Sequence, residues 1–325
     1  MTTTLQGTLA TGGEVLAVEC DLPWLARHVV EGSDGQLGDP GPASVHVHVE
    51  AGRGPFPTRG WSRLSRDAWA RSGRVVLEDV ATSGLDVMLS HEPDGVHLQC
   101  RWRPPPRTRG AGLLLRARSR LLLRSVLLQY PAMWAAGLHG RTPLHACGMV
   151  SPSVGAVLVV GPSGAGKTSL VANELSGGGR ATTDNLCTAD ARSVWGVVEP
   201  VRSELGSGRR APHGRHEGTL ASRIESIDPQ AVVVLARGER TEVRDISPRE
   251  AARALVASTY AAGELRRYWP FHAQVALGSG AGDAHPPVAE VASALCERLQ
   301  CRRVSLAGVR DVRLGDVLAA EGLPR

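Results

Sequence analysis

Short alternating runs dominate the first hundred residues. Val45-His46-Val47-His48-Val49 sends apolar and polar side chains to opposite faces, the period-two signature of a half-buried strand. Further apolar pieces lie between Leu85 and Val96, punctuated by Gly, Pro and Asp, whereas residues 33–42 and 52–60 read as loops. A strand-rich domain is therefore expected over 1–103, with no catalytic cluster in it. A lid, a packing domain and a recognition domain are all open roles. The basic stretch Arg101 to Arg109 contains Pro104-Pro105-Pro106, which suits a joint. After it, LLLRARSRLLLRSVLLQYPAMWAAGL predicts a helix with Leu114, Ala117, Leu121, Val126 and Leu128 on a broad apolar surface, ended or kinked at Pro131. Its arginines fit a solvated face over a buried stripe better than a phosphate contact. Residues 104–143 thus read as linker and helix.

From Leu144 the pattern becomes α/β, and 144–325 reads as one further domain. Gly155 to Val160 is a nearly continuous β-branched run, right for a buried central strand. A helix follows from Lys167 to about Leu175, broken by Gly177-Gly178-Gly179. Strands are expected at 180–186, 194–198 and 231–235, with 243–246 pairing beside the last. Ser247-Pro248-Arg249-Glu250 is a helix start, with a Ser cap, Pro at the first position and Glu at the third, and that helix runs to about Tyr260. Val288 to Leu299 predicts another helix, and VSLAGVRDVRLGDVLAA closes the chain's last domain. No fixed-period repeat is present.

Composition narrows the class. With 42% hydrophobic residues over 325, the chain can bury a real core, and with only 4% aromatics that core must be built from Ala, Val and Leu. The net charge of +5 is carried mostly by Arg; it suits anionic ligands and is too diffuse to indicate nucleic acid. Six cysteines without a Cys-x-x-Cys pair read as reduced structural thiols. No secretion signal is recognised at the N-terminus, and the apolar run from Leu113 to Trp134 is interrupted by Arg116, Arg118, Arg120 and Arg124. The expectation is a cytoplasmic protein with no membrane partner.

Gly161-Pro162-Ser163-Gly164-Ala165-Gly166-Lys167-Thr168 fits the pattern Gly-x-x-x-x-Gly-Lys-Ser/Thr at every position, between an apolar strand and a helix-forming segment that opens with Ser169. The glycines let backbone N–H groups converge on a β-phosphate, and the helix adds its unpaired N–H groups and the positive end of its dipole. Lys167 can bridge the β- and γ-phosphates of ATP or GTP, and Thr168 offers an oxygen to Mg²⁺. Leu175-Ser176-Gly177-Gly178-Gly179 looks like the signature of transporter ATPases but lies too close to the P-loop, and reads as a helix end and turn. Asp184 is expected at the carboxyl edge of the next strand, where a carboxylate can take the proton of an attacking hydroxyl or hold the metal. A turn or cap residue is the plain alternative.

The segments LHACGMV, GPSGAGKTSL and TTDNL together resemble the catalytic domain of the HPr kinase/phosphorylase family, over roughly Leu144 to Arg325 and most strongly through Leu186. The resemblance implies a P-loop fold related to phosphoenolpyruvate carboxykinase and phosphoryl transfer to a Ser of a protein or to a smaller acceptor. It also implies a catalytic His145 near the transferring phosphate and Asp184 as general base. Because the family commonly assembles, a homo-oligomer is implied too. The family's acidic pair is broken here: Asn185 replaces the second acid, so that metal ligands would be Thr168, Asn185 and, to restore a carboxylate, Glu199. The segment that supports phosphorolysis in bifunctional members is not recognisable, which puts dephosphorylation in doubt.

Other charged clusters have lesser roles. The Gly/Pro-rich segment from Pro200 to Thr219 carries Arg202, Arg209, Arg210 and Arg215 with His213 and His216, and reads as an irregular lid or substrate-contact loop, or as a solvated loop without chemistry. Arg237 and Arg266-Arg267 are fallback phosphate contacts. His46 and His48 are two ligands without a third, and so read as surface or edge residues. The expected activity is transfer of a γ-phosphate from ATP or GTP to a hydroxyl, on a small molecule such as a nucleoside or sugar intermediate or on a Ser-containing peptide or protein. A nucleotide-binding regulatory module with little transferase activity is the alternative of a different class. Carboxykinase chemistry would need further metal ligands that the sequence lacks.

Overall fold

The computed structural model describes residues 5–52, 54–203, 208–282, 285–308 and 312–320. The chain is mixed α/β, built on two large sheets. The first holds eight strands in the spatial order Leu5–Thr11, Glu14–Cys20, Val45–Glu50, Gly95–Trp102, Leu85–Glu92, Arg74–Leu77, Ala68–Arg71 and Ser62–Ser65. Val45–Glu50 runs parallel to both of its neighbours, and the other pairs are antiparallel. The alternation read from the sequence holds: Val45, Val47 and Val49 are buried, while His46 and His48 line the other face.

What covers the apolar face of this sheet was not visible locally. Leu123, Val126 to Leu128, Tyr130 and Met133 to Ala135 join the same core, as do Leu265, Tyr268, Phe271 and Val275 of the helix Gly263–Ser279. The stretch expected as linker and helix is thus core-forming, and a helix from the far half of the chain roofs the first sheet. The helical stretch itself is divided into Pro106–Leu114, Arg116–Arg124, a π-turn Ser125–Gln129 and Tyr130–Leu138. Pro131 falls in the first turn of the last piece. It has no N–H for an i−4 carbonyl, and the wider π-turn before it leaves room for the ring. Arg124 is not on a solvated face. It is buried and bonded to Glu31 and Glu217, both at 2.7 Å.

The second sheet has the order Arg180–Ala181, Ala146–Ser151, Gly155–Val160, Ala231–Arg237, Gln300–Leu306 and Glu242–Asp245. Its three central strands, Gly155–Val160, Ala231–Arg237 and Gln300–Leu306, are parallel. Pro248–Ala261 and Val288–Arg298 bury their apolar stripes on one face, and Lys167–Ser176 and Leu314–Ala320 on the other. Such layering leaves ligand sites at the carboxyl ends of the parallel strands. A smaller antiparallel sheet, Ser226–Ile227, Val194–Gly196, Cys187–Ala189 and Thr142–Leu144, adjoins it.

Three local expectations change. Glu242–Asp245 pairs with Gln300–Leu306, not with Ala231–Arg237, because that flank is taken by the parallel strand carrying Val304 and Leu306. The strand expected over 180–186 stops at Ala181; Thr183 Oγ1 accepts the Asn185 N–H at 3.3 Å, a local turn that competes with the ladder. The segment expected to be irregular pairs Val201–Ser203 with His216–Gly218, although residues 204–207 and the His213 side chain lie outside the described residues, as do residues 309–311 of the closing segment. All six cysteines are buried free thiols. Among the described residues no helix is long and apolar enough to cross a membrane.

Candidate functional site

The strand Gly155–Val160 runs straight into Gly161, and the helix Lys167–Ser176 begins six residues later. A Cβ at Gly161 would meet the Leu235 carbonyl oxygen at 2.6 Å, so only glycine lets the loop leave the sheet there. Gly164 and Gly166 take φ of +83° and +107°, which reverse the chain at low steric cost. Pro162, Ser163 and Gly164 form the exposed rim, Ala165 packs into the core, and Thr168 and Ser169 are half-buried in the first helical turn. Lys167 is 6% exposed, and its Nζ donates to the carbonyls of Gly161 (2.6 Å) and Pro162 (3.2 Å). Burial lowers its pKa, partly offset by Cys147 and Asp184. Arg237 braces the loop instead of facing a phosphate, donating from Nε to the Gly164 carbonyl at 2.8 Å.

Beside the loop lies a cleft of about 50 Å³ lined by His145, Ser163, Thr168, Asp184, Asn185, Arg202, Arg215 and Glu264. Thr168 Oγ1 donates to Asp184 Oδ2 at 2.7 Å, which joins two hard oxygens at the mouth of the P-loop. That donor pair fits Mg²⁺, which takes oxygen ligands in a compact shell. Burial raises the Asp184 carboxyl above its ordinary range, opposed by the Thr168 hydroxyl and by Arg202 and Arg223. His145 is 3% exposed; burial, reinforced by the Lys167 charge, lowers its pKa to about 4. The ring is therefore favoured by burial in its neutral form near pH 7. It bridges Ser258 Oγ, 2.8 Å from Nδ1, and the side chain of Asn185. Ser258 in turn donates to the Gly161 carbonyl at 2.7 Å, so that the helix Pro248–Ala261 ties His145 to the first residue of the loop.

Glu199 does not face the cleft. Its Oε1 accepts from Asn185 Nδ2 at 2.8 Å, and its Oε2 accepts from Arg202 and Gln129 at 3.2 and 3.3 Å. As a metal ligand it is misplaced: it stands behind Asn185, with both oxygens engaged. Burial raises its pKa to about 7, despite the nearby Arg202. Arg202 lies between Glu199 and Glu264, the latter at 3.0 Å. Burial favours its neutral form, but the two carboxylates outweigh that and raise its pKa. Glu264 is affected in the opposite sense, with burial pushing it up and Arg202 pulling it below its ordinary value.

The four loop arginines separate. Arg202 and Arg215 line the cleft, whereas Arg209 pairs with Glu31 and Arg210 is exposed, its carbonyl taken by Arg120 at 2.8 Å. Arg267 donates to its own helix at the Gly263 carbonyl. Sequence reasoning missed Glu264, Ser258 and Arg223. The last joins the halves of the chain through Asp34 Oδ2 (2.7 Å) and the carbonyls of Thr182 and Glu199. Ser258 and Thr259 left a signal, as adjacent hydroxyls on the apolar side of a predicted helix. Glu264 left one as well, an acid one residue past a glycine that opens a helix.

No family model matches the chain, and no curated protein matches it.

Proposed function

We propose that the chain is a P-loop kinase of the type found in HPr kinase and phosphoenolpyruvate carboxykinase, which transfers the γ-phosphoryl group of ATP or GTP to a hydroxyl on a small molecule. The observation that carries this reading is the Thr168–Asp184 contact at the open end of a loop already holding a buried Lys167. Asp184 takes the acceptor proton as the acceptor oxygen bonds the γ-phosphorus and the bond to the β–γ bridging oxygen breaks, releasing the nucleoside diphosphate. A carboxyl pKa raised by burial makes it a stronger base than a solvated aspartate. Lys167 supplies positive charge to the transferring group. Neutral His145 contributes a hydrogen-bonding ring, held by Ser258, without a full charge. Bound Mg²⁺ would neutralise phosphate charge, held by Thr168 with Asp184 beside it. Arg215 and Glu264, opposite charges on one small cleft, support a compact polar acceptor over an extended peptide.

A regulatory nucleotide-binding module is the second reading, favoured by Asn185: its amide is turned to Glu199, and the second acid of the pair is missing. Labelled ATP or GTP, presented with metabolite and peptide pools and followed by mass identification of product, separates the two. In the same assay Lys167→Ala loses binding and turnover. Asp184→Asn keeps nucleotide binding while turnover falls by about 10²–10⁴. Undiminished turnover in Asp184→Asn rejects the assigned base, and tight binding without any labelled product rejects the kinase.

A further inference from the structure

His46 and His48 lack a third ligand in the sequence, but pairing in the first sheet supplies partners. Val45–Glu50 and Gly95–Trp102 run parallel with His46 opposite His97, and the turn just before the second strand brings in Asp94. One ligand atom from each of His46, Asp94 and His97 lies within 4.8 Å of the others. His97 Nε2 is 2.9 Å from Asp94 Oδ1, and His46 Nε2 is 3.9 Å from Asp94 Oδ2. The two imidazoles stack with centroids 4.5 Å apart and planes inclined by 17°. Although its ring is part-exposed, His46 Nε2 is itself buried and has no hydrogen-bond partner. A neighbouring group, Glu19, Asp21 and His48, is different: it has a single imidazole, His48 Nε2 lies 3.2 Å from Asp21 Oδ2, and Glu19 Oε1 accepts from Gln6 at 3.0 Å.

We propose that His46, Asp94 and His97 form a binding site for a divalent transition-metal ion of the zinc class, on the face of the first sheet turned away from the core. Two imidazoles and one carboxylate select Zn²⁺, Co²⁺ or Ni²⁺ over Mg²⁺, which the oxygen donors of the P-loop cleft suit better. Zinc–nitrogen bonds of about 2.0–2.1 Å place tetrahedral donors about 3.3 Å apart. The two His–Asp94 distances, 2.9 and 3.9 Å, bracket that spacing, and one donor atom of each residue lies within 4.8 Å of the others. Closing on an ion requires the stacked rings to open apart at their bodies so that their Nε2 tips converge, and Asp94 lies on an exposed turn. The ion gives the orphaned His46 nitrogen a partner. A cavity of about 640 Å³ lined by His46, His48, His97, Glu19 and Gln99 adjoins the two imidazoles, so that water or an anionic group of a small ligand there can complete the shell.

The test uses the full chain without an affinity tag, with Mg²⁺ in excess so that the P-loop cleft does not compete. Co²⁺ uptake is followed by visible absorption, and Zn²⁺ affinity by competition with a chromophoric chelator. One ion per chain is expected. His46→Ala, His97→Ala and Asp94→Asn should each weaken binding at least about tenfold, while His48→Ala leaves it unchanged. All four side chains are at least part-exposed, so equal unfolding midpoints should accompany these changes. A parent chain that takes up neither ion in excess, or affinity equal to the parent's in His46→Ala and His97→Ala, overturns the proposal.

Discussion

Glu199→Gln tests the buried charge network behind the cleft. Glu199 has an ordinary pKa of 4.5, raised by burial to about 7 in the folded chain. Between those values the folded protein holds a proton that the unfolded chain has released. Its contribution to stability is therefore present below pH 4.5 and is lost as pH rises to 7, by about 3 kcal/mol in all. Gln keeps a carbonyl for Asn185 or Arg202 and cannot ionise, so this part of the pH dependence should vanish. The parent's profile alone is ambiguous. His145, lowered from 6.5 to about 4, acts in the opposite sense, because the unfolded chain gains its proton first as pH falls. The two slopes oppose one another over the acid range. Subtracting parent from variant removes His145, so the assay is urea unfolding of both proteins at pH 5, 6, 7 and 8. The variant should gain about 2.5 kcal/mol on the parent between pH 5 and pH 8, after any constant offset from exchanging the carboxyl for an amide. A difference independent of pH would refute the buried, proton-holding Glu199.

Two further perturbations probe the frame. Arg124→Ala strands Glu217 in a part-buried setting and leaves Glu31 only Arg209 and His28, and should cost about 3–5 kcal/mol in denaturant unfolding, against the near-neutral change expected had this residue been on a solvated helix face. Gly161→Ala puts a methyl into the Leu235 carbonyl, so it should destabilise by about 1–3 kcal/mol and, on the proposed kinase reading, weaken the thermal stabilisation that MgATP is expected to give; an unchanged ligand-induced rise in melting temperature would contradict the close approach.

Local features survive the passage from sequence to fold. The helix start at Ser247 is an example: its hydroxyl accepts the Glu250 N–H, as Ser-Pro-x-Glu spacing demands, and the helix runs to Ala261. Longer-range features do not. The sequence reading placed Glu199 at the metal because an acid was needed nearby, yet Arg202, three residues on, and Asn185 hold both its oxygens away from the cleft. It left Arg124 in solvent, since nothing near it in sequence reveals Glu31 and Glu217, each 93 positions away.

The sequence by itself determined the glycine-rich loop, its strand and helix, and the alternation of Val45 to Val49, because each rests on φ/ψ preference and periodicity within about ten residues. Only the tertiary structure decided that Gly263–Ser279 covers the first sheet, that Glu264 reaches the cleft, and that His46 stands opposite His97. Those outcomes follow from strand register and from which apolar faces bury one another, quantities set by contacts between distant segments and written in no single stretch of the chain.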